Sequence, residues 1–594
     1  MARPEVWLPI LLFASWANGR TIPSKGQEFQ QAQDTGFTEP LIRDLHVGEL
    51  NFLHTTDTHG WLGSHLTQPN YDADWGDFVS FASRFRENRV GTAGDLVLVD
   101  TGDKHDGNGL SDATVPNGLE STKVFNEQDY DLLTLGNHEL YTEENTVLEY
   151  CSTANSEKFK DAYVSSNVEF ITKEGNPVPF GSKYRFFKTK NHNFRILALS
   201  FMFNFQRTNP RAKVTPALEA LKQDWFQDVI SKYPAESVDV LVVFGHMPIT
   251  DPENREINQV HRHLRKIYPK TIIQYFGGHS HIRDFAVFDK QSTGLQSGRF
   301  SETVGFLSIA NVKSSEPSFS RQYLDFSKKS FAYHSRVSQS NLVTEKGSKI
   351  SNHLSKLRED LSLNEVVGYV PDTYYMDTKP LQSKHNIYHL LASEVLPRLR
   401  SQHTDDTKSR FIIINTGAIR YDLYKGNFTK DSEYIVSPFP NDWNYIEVPL
   451  SLAEGVADYL NKGPVLLRSL APPSALRHTL RHTRPKSCPF IHDPERSKGY
   501  TTLDDGGCEG DDVPHNTEIY YDIPNVVQSV ELKPGIQDTA HLVFYSFIQR
   551  DVVRALNALN EQKAIVRHHY SEKDCRQYGG HATKDLLKEW IRDL

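Results

Sequence analysis

The chain has 594 residues, more than one hydrophobic core normally serves, so two domains are expected. Its formal net charge is −9, from 66 basic and 75 acidic side chains of both signs spread along the chain, which argues against a general nucleic-acid-binding surface. No internal run approaches the ~20 apolar residues of a membrane span.

From the N-terminus, Arg3 precedes an apolar stretch at residues 6–14, and Ala17-Asn18-Gly19 offers small residues for cleavage. Residues 1–19 therefore read as a secretory signal peptide, the apolar stretch being short for an uncleaved anchor. Residues 20–46 are polar and read as a flexible leader. Strand-like runs follow at residues 50–53, 96–99, 132–135, 240–244 and 272–276, with helical patterns at 77–88, 215–231 and 256–267. This alternation to about residue 335 indicates a layered α/β domain over 47–335. Residues 336–362, rich in Ser, Lys and Glu, read as a solvated linker helix. A second domain over 363–594 opens with the apolar pattern at Glu365-Val366-Val367 and continues through a helix at 386–399 and a buried strand at 411–414.

Residues 468–516 fit neither core. A basic run with Arg477, Arg481 and Arg484 precedes an acidic one with Asp504, Asp505, Asp511 and Asp512, and the segment reads as a solvated insertion. The cysteines are Cys151, Cys488, Cys508 and Cys575. Cys488 and Cys508 flank a polar loop and would suit a disulfide in an oxidising compartment, while the lack of any Cys-x-x-Cys gives no zinc ribbon. Asn427-Phe428-Thr429 is a glycosylation sequon, which agrees with a secretory route.

Five polar blocks close the strand-like runs: Asp57-Thr58-His59, Gly102-Asp103, Gly136-Asn137-His138-Glu139, Gly245-His246 and Gly278-His279-Ser280-His281. Singly, each has an ordinary reading as a turn, a helix cap or a surface histidine. Together, at successive strand ends, they would gather along one sheet edge, where open α/β folds place their sites. Their N and O donors suit two divalent ions of the Zn, Mn, Fe or Co type rather than a thiolate-held zinc. Asp103 is the natural bridge. Two ions ~3.5–4 Å apart would activate water and neutralise a phosphoryl group. His138 is the candidate to protonate the leaving oxygen or to stabilise the charge on the phosphoryl group.

The order D-x-H, GD, GNHE, GH, GHxH resembles the calcineurin-like metallophosphoesterase superfamily, and Leu53-His54-Thr55-Thr56-Asp57-Thr58-His59-Gly60 resembles its 5′-nucleotidase family, in a fungal secreted or vacuolar form. The resemblance implies an α/β fold in which an N-terminal β-sandwich flanked by helices is joined to an α/β 5′-nucleotidase-type C-terminal domain. It implies one ion on Asp57, His59, Asp103 and His281, and another on Asp103, Asn137, His246 and His279. Ile414-Asn415-Thr416-Gly417-Ala418-Ile419-Arg420 and Pro438-Phe439-Pro440-Asn441 resemble the family's N-G-G-G-I-R and P-F-G-N segments. They imply that Asn415 and Arg420 reach substrate and that Trp443 stacks on a base, with Phe547 as the second stacking aromatic.

Two departures stand out. Tyr141 occupies the place where the family carries an aspartate that holds the catalytic histidine, and the family's G-G-D-G stretch is not visible. The expected function is hydrolysis of small-molecule phosphate monoesters, nucleoside 5′-monophosphates first, in an extracellular or vacuolar setting and without a nucleic-acid polymer as partner. The alternatives are a cyclic-nucleotide, nucleotide-sugar or other phosphoester hydrolase, or a secreted metal-binding protein with low activity because of Tyr141.

Overall fold

The computed structural model describes residues 42–251, 255–403, 407–440, 442–463, 510–513, 521–535, 538–563 and 565–594. The signal peptide, all but the last few residues of the leader, Asn441, Cys488 and Cys508 lie outside the described residues. Cys151 and Cys575 are free thiols.

Two sheets face each other in the N-terminal half. One has the order Ser318–Asp325, Thr303–Ala310, Leu50–Thr55, Asp95–Asp100; the other runs Arg283–Asp289, Ser292–Ser297, Ile272–Gly277, Val240–Phe244, Arg195–Ser200, Arg185–Lys188. Leu50, Phe52, Val97 and Val99 from the first sheet meet Ile196, Val240, Val242 and Phe276 from the second in one buried cluster. Val240–Phe244 is buried at every position because helices cover the outer face of its sheet as well. Leu50–Thr55 and Asp95–Asp100 run parallel, as do Val240–Phe244 and Ile272–Gly277. Parallel pairing brings the loops after these strands to the same edge.

Residues 132–135, expected as a strand, are extended but join the sheet only through the isolated bridges Val99↔Leu132 and Leu133↔Tyr163. The Asp131 carboxylate accepts the Leu98 N–H (2.9 Å), so a side chain replaces part of the ladder. The helix expected over 215–231 is two helices, Ala217–Ala220 and Asp224–Lys232. Leu221 and Phe226 are both buried, yet five residues of unbroken helix would turn them about 140° apart. The helix Glu256–Ile267 forms as expected.

The segment expected as a solvated linker helix is instead part of a core. Glu345–Asp360 is capped by Thr344 and buries Ile350, Leu354 and Leu357 in the same apolar cluster as Trp75 and Phe78. Gly76 and Gly347 permit this close approach, since a Cβ on Gly76 would lie 2.2 Å from the Gly347 carbonyl oxygen. The stripe at i, i+4, i+7 was masked by the polar residues between.

In the C-terminal half a five-stranded sheet has the order Val526–Glu531, Arg410–Asn415, Thr539–Tyr545, Trp443–Pro449, Arg576–Gln577. Leu450–Lys462, Gln549–Lys563 and Thr583–Arg592 contribute buried faces to its cluster. The expected helix over 386–399 begins at Ile387, capped by the Asn386 side chain, and ends in short irregular turns at Leu396–Arg398, which contain Pro397.

The insertion also departs from expectation where it is described. Asp511 and Asp512 are fully buried against the N-terminal half. Asp511 Oδ1 lies 2.8 Å from Arg283 Nη1, and Asp512 Oδ2 lies 2.9 Å from His334 Nε2. The Tyr323 and Asp512 backbones add two hydrogen bonds, Tyr323 N to Gly510 O (2.6 Å) and Asp512 N to Tyr323 O (2.8 Å). These two acidic residues are buried and paired inside the molecule rather than solvated.

Candidate metal centre and substrate cleft

The five polar blocks converge. Asp57, His59, Asp103 and His281 bring ligand-type atoms within 4.8 Å of one another, and Asp103, His246 and His279 do the same. Asp103 is common to both groups. His246 Nε2 stands 3.0 Å from Asp103 Oδ2, His59 Nε2 3.8 Å from the same oxygen, and His281 Nε2 3.3 Å from Asp57 Oδ1. All are 3% exposed or less.

The loops reach this arrangement through left-handed backbone. Asp57, His59, Asp103, Asp106, His279 and His281 have φ of 49°, 46°, 61°, 71°, 75° and 60°. Non-glycine residues adopt such angles at a cost, and their concentration at one place marks a site that its surroundings hold in shape. The loops are also tied to one another, with Asp57 N donating to Gly102 O (2.9 Å) and His59 N to Asp103 O (3.0 Å). Gly102 is required because a Cβ there would lie 2.1 Å from the Gly136 nitrogen. Glu139 clamps the bridge loop by accepting the N–H groups of Asp103 (3.1 Å), Lys104 (2.7 Å) and Gly136 (2.6 Å).

Backbone carbonyls orient two imidazoles. His59 Nδ1 donates to His105 O (2.7 Å) and His246 Nδ1 to Thr101 O (2.8 Å), which leaves each Nε2 facing the carboxylates. His279 stacks on Phe203 at 4.1 Å, and its backbone N–H donates to the Asp57 carboxylate. Burial holds His59, His279 and His281 well below the usual histidine range, with neighbouring cationic groups adding to the effect, so they are neutral ligand-type imidazoles. Burial would raise the Asp103 carboxyl, but His246, His138 and His59 around it hold it well below the usual range.

The residues fit two cations on the chemistry of their donors. Asp103 Oδ2, Asn137 Oδ1, His246 Nε2 and both ring nitrogens of His279 are buried with no hydrogen-bond partner among the described residues. So many unmatched buried donors and acceptors in one small volume is a costly arrangement for a protein without a ligand there. The Asn137 amide nitrogen donates to the Tyr141 hydroxyl (3.1 Å), which leaves its oxygen as the unpartnered atom.

His138 has a partner that the sequence did not single out. Its Nδ1 lies 2.7 Å from Asp106 Oδ2, while its Nε2 stands 3.9 Å from Asp103 Oδ2. Tyr141 instead meets the His138 ring edge-on at 5.0 Å.

A cavity of about 1030 Å³ opens beside His138 between the two halves and is lined by Asp106, Tyr141, Asn415, Phe439, Phe547 and Arg207 among others. Asn415 contributes an amide whose oxygen has no partner among the described residues. Arg420 is buried, with Nη2 3.0 Å from His59 Nε2, and its Nε and Nη1 are without partners among the described residues. Burial and the nearby Arg299 lower it to about 10, which leaves it charged at neutral pH. Phe547 lines the cavity with the Arg207 guanidinium 4.7 Å from its ring centre.

Trp443 does not line the cleft, a correction to the expectation. Its strand, paired in register with Tyr545, turns the indole into the domain core, where Nε1 donates to His581 O (3.0 Å) and only 1% is exposed. Phe439, in the turn before that strand, presents its ring instead, 6.4 Å from the His138 ring and 5.8 Å from the Arg420 guanidinium. Asp106 lies three residues after a quoted motif and Phe439 inside one, yet only their side-chain directions distinguish them. Arg207 carried no signal in the sequence.

The model of the calcineurin-like phosphoesterase family matches residues 50–283, and that of the NAD nucleotidase C-terminal domain matches residues 373–553. An uncharacterized Saccharomyces cerevisiae protein, YHR202W, is 52% identical, covering 96% of this chain and 97% of its own. An Arthroderma benhamiae protein named "Secreted protein" is 36% identical over 93% of this chain and 90% of its own. The crystal structure of 5′-nucleotidase from Candida albicans is 42% identical, with a TM-score of 0.83 covering 93% of this chain and 100% of that one. The 5′-nucleotidase precursor from Thermus thermophilus, 15% identical with a TM-score of 0.55, shares the fold. With relatives this similar along nearly the whole chain, and a buried Asp/His cluster that suggests a dinuclear metal site, the protein belongs to the 5′-nucleotidase family of calcineurin-like metallophosphoesterases and is a metal-dependent phosphoester hydrolase.

Proposed function

We propose that the chain hydrolyses nucleoside 5′-monophosphates to nucleoside and phosphate. The observation that carries this reading is the position of Phe439 and Phe547 in the same cavity as His138, with Asn415 beside them. A phosphoryl group at the Asp/His cluster would leave its nucleoside in a space walled by two aromatic rings, each a stacking surface for a base. The similarity to the Candida albicans 5′-nucleotidase supports the same substrate class.

In this reading Asp57, His59, Asp103 and His281 hold one ion, and Asp103, Asn137, His246 and His279 the other. Bound divalent ions supply Lewis acidity toward water and the phosphoryl oxygens. The remaining work falls to the chain. The free Nε and Nη1 of Arg420 donate to phosphoryl oxygens, and its permanent charge offsets theirs. Asn415 orients the ester. His138 delivers a proton from Nε2 to the departing ribose oxygen, so that the nucleoside leaves as a neutral alcohol.

The low-activity alternative loses its main support, because Asp106 occupies the His138 nitrogen that Tyr141 leaves unserved. A larger nucleotide ester remains the second reading, favoured by the cavity of about 1030 Å³, which exceeds a mononucleotide. We also propose that the protein follows the secretory route, to an extracellular or vacuolar destination. Support comes from the N-terminal apolar stretch, the name of the Arthroderma relative, and the exposed sequon residue Asn427. No helix among the described residues is long and apolar enough to cross a membrane.

Phosphate release from AMP by the purified protein tests the reading. Release that a chelator abolishes and Mn²⁺, Zn²⁺ or Co²⁺ restores is the expected outcome. AMP turning over more slowly than simple phosphomonoesters would overturn the nucleotide assignment.

A further inference from the structure

His138 can act on a leaving group only if its ring is held with Nε2 toward the reacting centre, and something must fix Nδ1. The residue three positions on, Tyr141, is not that group. Its hydroxyl accepts the Asn137 amide (3.1 Å), and its ring meets the imidazole edge-on. Asp106 approaches His138 Nδ1 from a different loop, at 2.7 Å, and the ring's other nitrogen is without a partner among the described residues.

Asp106 is itself held at every atom that matters. Its second oxygen accepts the Asn117 amide (2.6 Å) and lies 3.2 Å from His105 Nδ1. Its backbone is in the left-handed region, φ 71°, and its N–H donates to Asp112 Oδ1 (2.9 Å). The other Asp112 oxygen accepts the N–H groups of Gly107 (2.7 Å) and Asn108 (3.2 Å). A strained turn pinned at three consecutive amides aims one carboxylate at one imidazole. Burial would raise the Asp106 carboxyl, but His105 and His138 hold it well below the usual range, so it is ionised.

We propose that Asp106 is the positioning carboxylate of the catalytic histidine, standing in from the loop after Asp103 for the acidic side chain that position 141 lacks. This rests on the role of His138 given under Proposed function. Asp106 accepts the Nδ1–H, fixes the ring plane and stabilises the imidazolium whose Nε2 proton passes to the leaving oxygen. The chain thereby keeps a carboxylate–imidazole pair with a tyrosine at 141, and Tyr141 lines the substrate cavity.

The test compares wild type, Asp106→Asn, Asp106→Ala, Asp106→Ala/Tyr141→Asp and His138→Ala as metal-loaded full chains. Each is assayed on AMP and on p-nitrophenyl phosphate, whose phenolate leaves with little need of a proton. Asp106→Asn is expected to lower kcat on AMP by roughly 10²–10³-fold, the scale of a lost acid–base contribution, with KM within about threefold. The loss on p-nitrophenyl phosphate should be at least about tenfold smaller, and both metals should remain by elemental analysis. Asp106→Ala/Tyr141→Asp should recover part of the AMP rate. In metal-free protein labelled with ¹⁵N-histidine, a downfield Nδ1–H resonance should vanish in both His138→Ala and Asp106→Asn.

Equal losses on the two esters, loss of metal, or an AMP rate in Asp106→Asn near that of wild type would overturn the proposal. If His138→Ala is crippled on AMP while Asp106→Asn is not, the positioning role alone falls. If His138→Ala turns over AMP normally, the reading of His138 falls and takes this inference with it.

Discussion

Arg420 Nη2 lies 3.0 Å from His59 Nε2, so a guanidinium from the C-terminal half touches the metal-type cluster of the N-terminal half. The two residues are 361 positions apart in the chain. Neither half alone could bind a phosphoryl group as the pair can, because the Asp/His cluster and the guanidinium come from different halves of the chain. Removing the guanidinium should therefore weaken substrate capture without emptying the metal site. Charge-assisted hydrogen bonds are worth about 1.5–3 kcal/mol, so kcat/KM of Arg420→Ala should fall roughly 10- to 100-fold. Arg420→Lys should recover only part of it, since a point charge does not reproduce two divergent N–H donors. Steady-state kinetics with elemental analysis checks both statements.

Asp103 faces His246, His59 and His138 at once. Asp103→Asn keeps the shape but removes the charge that two cations would share. Metal content should drop below two per chain, and hydrolysis should fall by at least about 10³-fold. Two retained metals in this variant would contradict the bridging role.

Phe439 and Phe547 should govern the base rather than the phosphate. Stacking on an aromatic side chain is worth about 1–3 kcal/mol per base, so Phe547→Ala should raise KM for AMP by roughly 5- to 100-fold. Glycerol phosphate, which has no base, should show little change. Trp443→Phe should leave both substrates nearly unaffected and lower thermal stability instead, because it removes a buried indole and its hydrogen bond to His581.

The pair Arg283–Asp511 joins the N-terminal half to a described piece of the insertion, and both side chains are fully buried. Losing one partner of a buried ion pair typically costs about 3–5 kcal/mol. Asp511→Ala should fall at the lower end, since Arg283 keeps Asp325 at 3.4 Å. Denaturant unfolding measures it.

Asp512 adds a pH dependence. Burial alone would raise its carboxyl, but the hydrogen bonds from His334 and the backbone of Asp325 lower it below its ordinary value of 3.8. A depressed carboxyl contributes stability above its unfolded value and loses it as the pH falls through the folded one. The stability difference between wild type and Asp512→Asn should thus be full at neutral pH and shrink progressively below about pH 4. A difference that grows on acidification would reverse the sign of the argument.

The ligand set was legible because each member sits within a few residues of an apolar run that becomes a strand or, before Asn137, an extended segment bridged to one. Parallel strands then leave their C-terminal ends no place but one common edge. Residue type and distance from a strand end carry that much, as Asp57, Asp103, His246 and His279 illustrate. What they cannot carry is direction. Trp443 and Phe439 are aromatics four positions apart, and only the pairing of Trp443 with Tyr545 decides which one enters the core. The polar look of residues 345–360 hid a buried stripe that had meaning only against Trp75–Phe85. Asp106 shows the same limit at the site itself. Its partner is 32 residues away, and a turn pinned by Asp112 determines the meeting. Sequence alone thus determined the chemistry of the donors and their order along the chain. Packing decided which carboxylate serves His138, which ring meets a base, and how Arg420 reaches His59, because those depend on side-chain orientation across distant contacts.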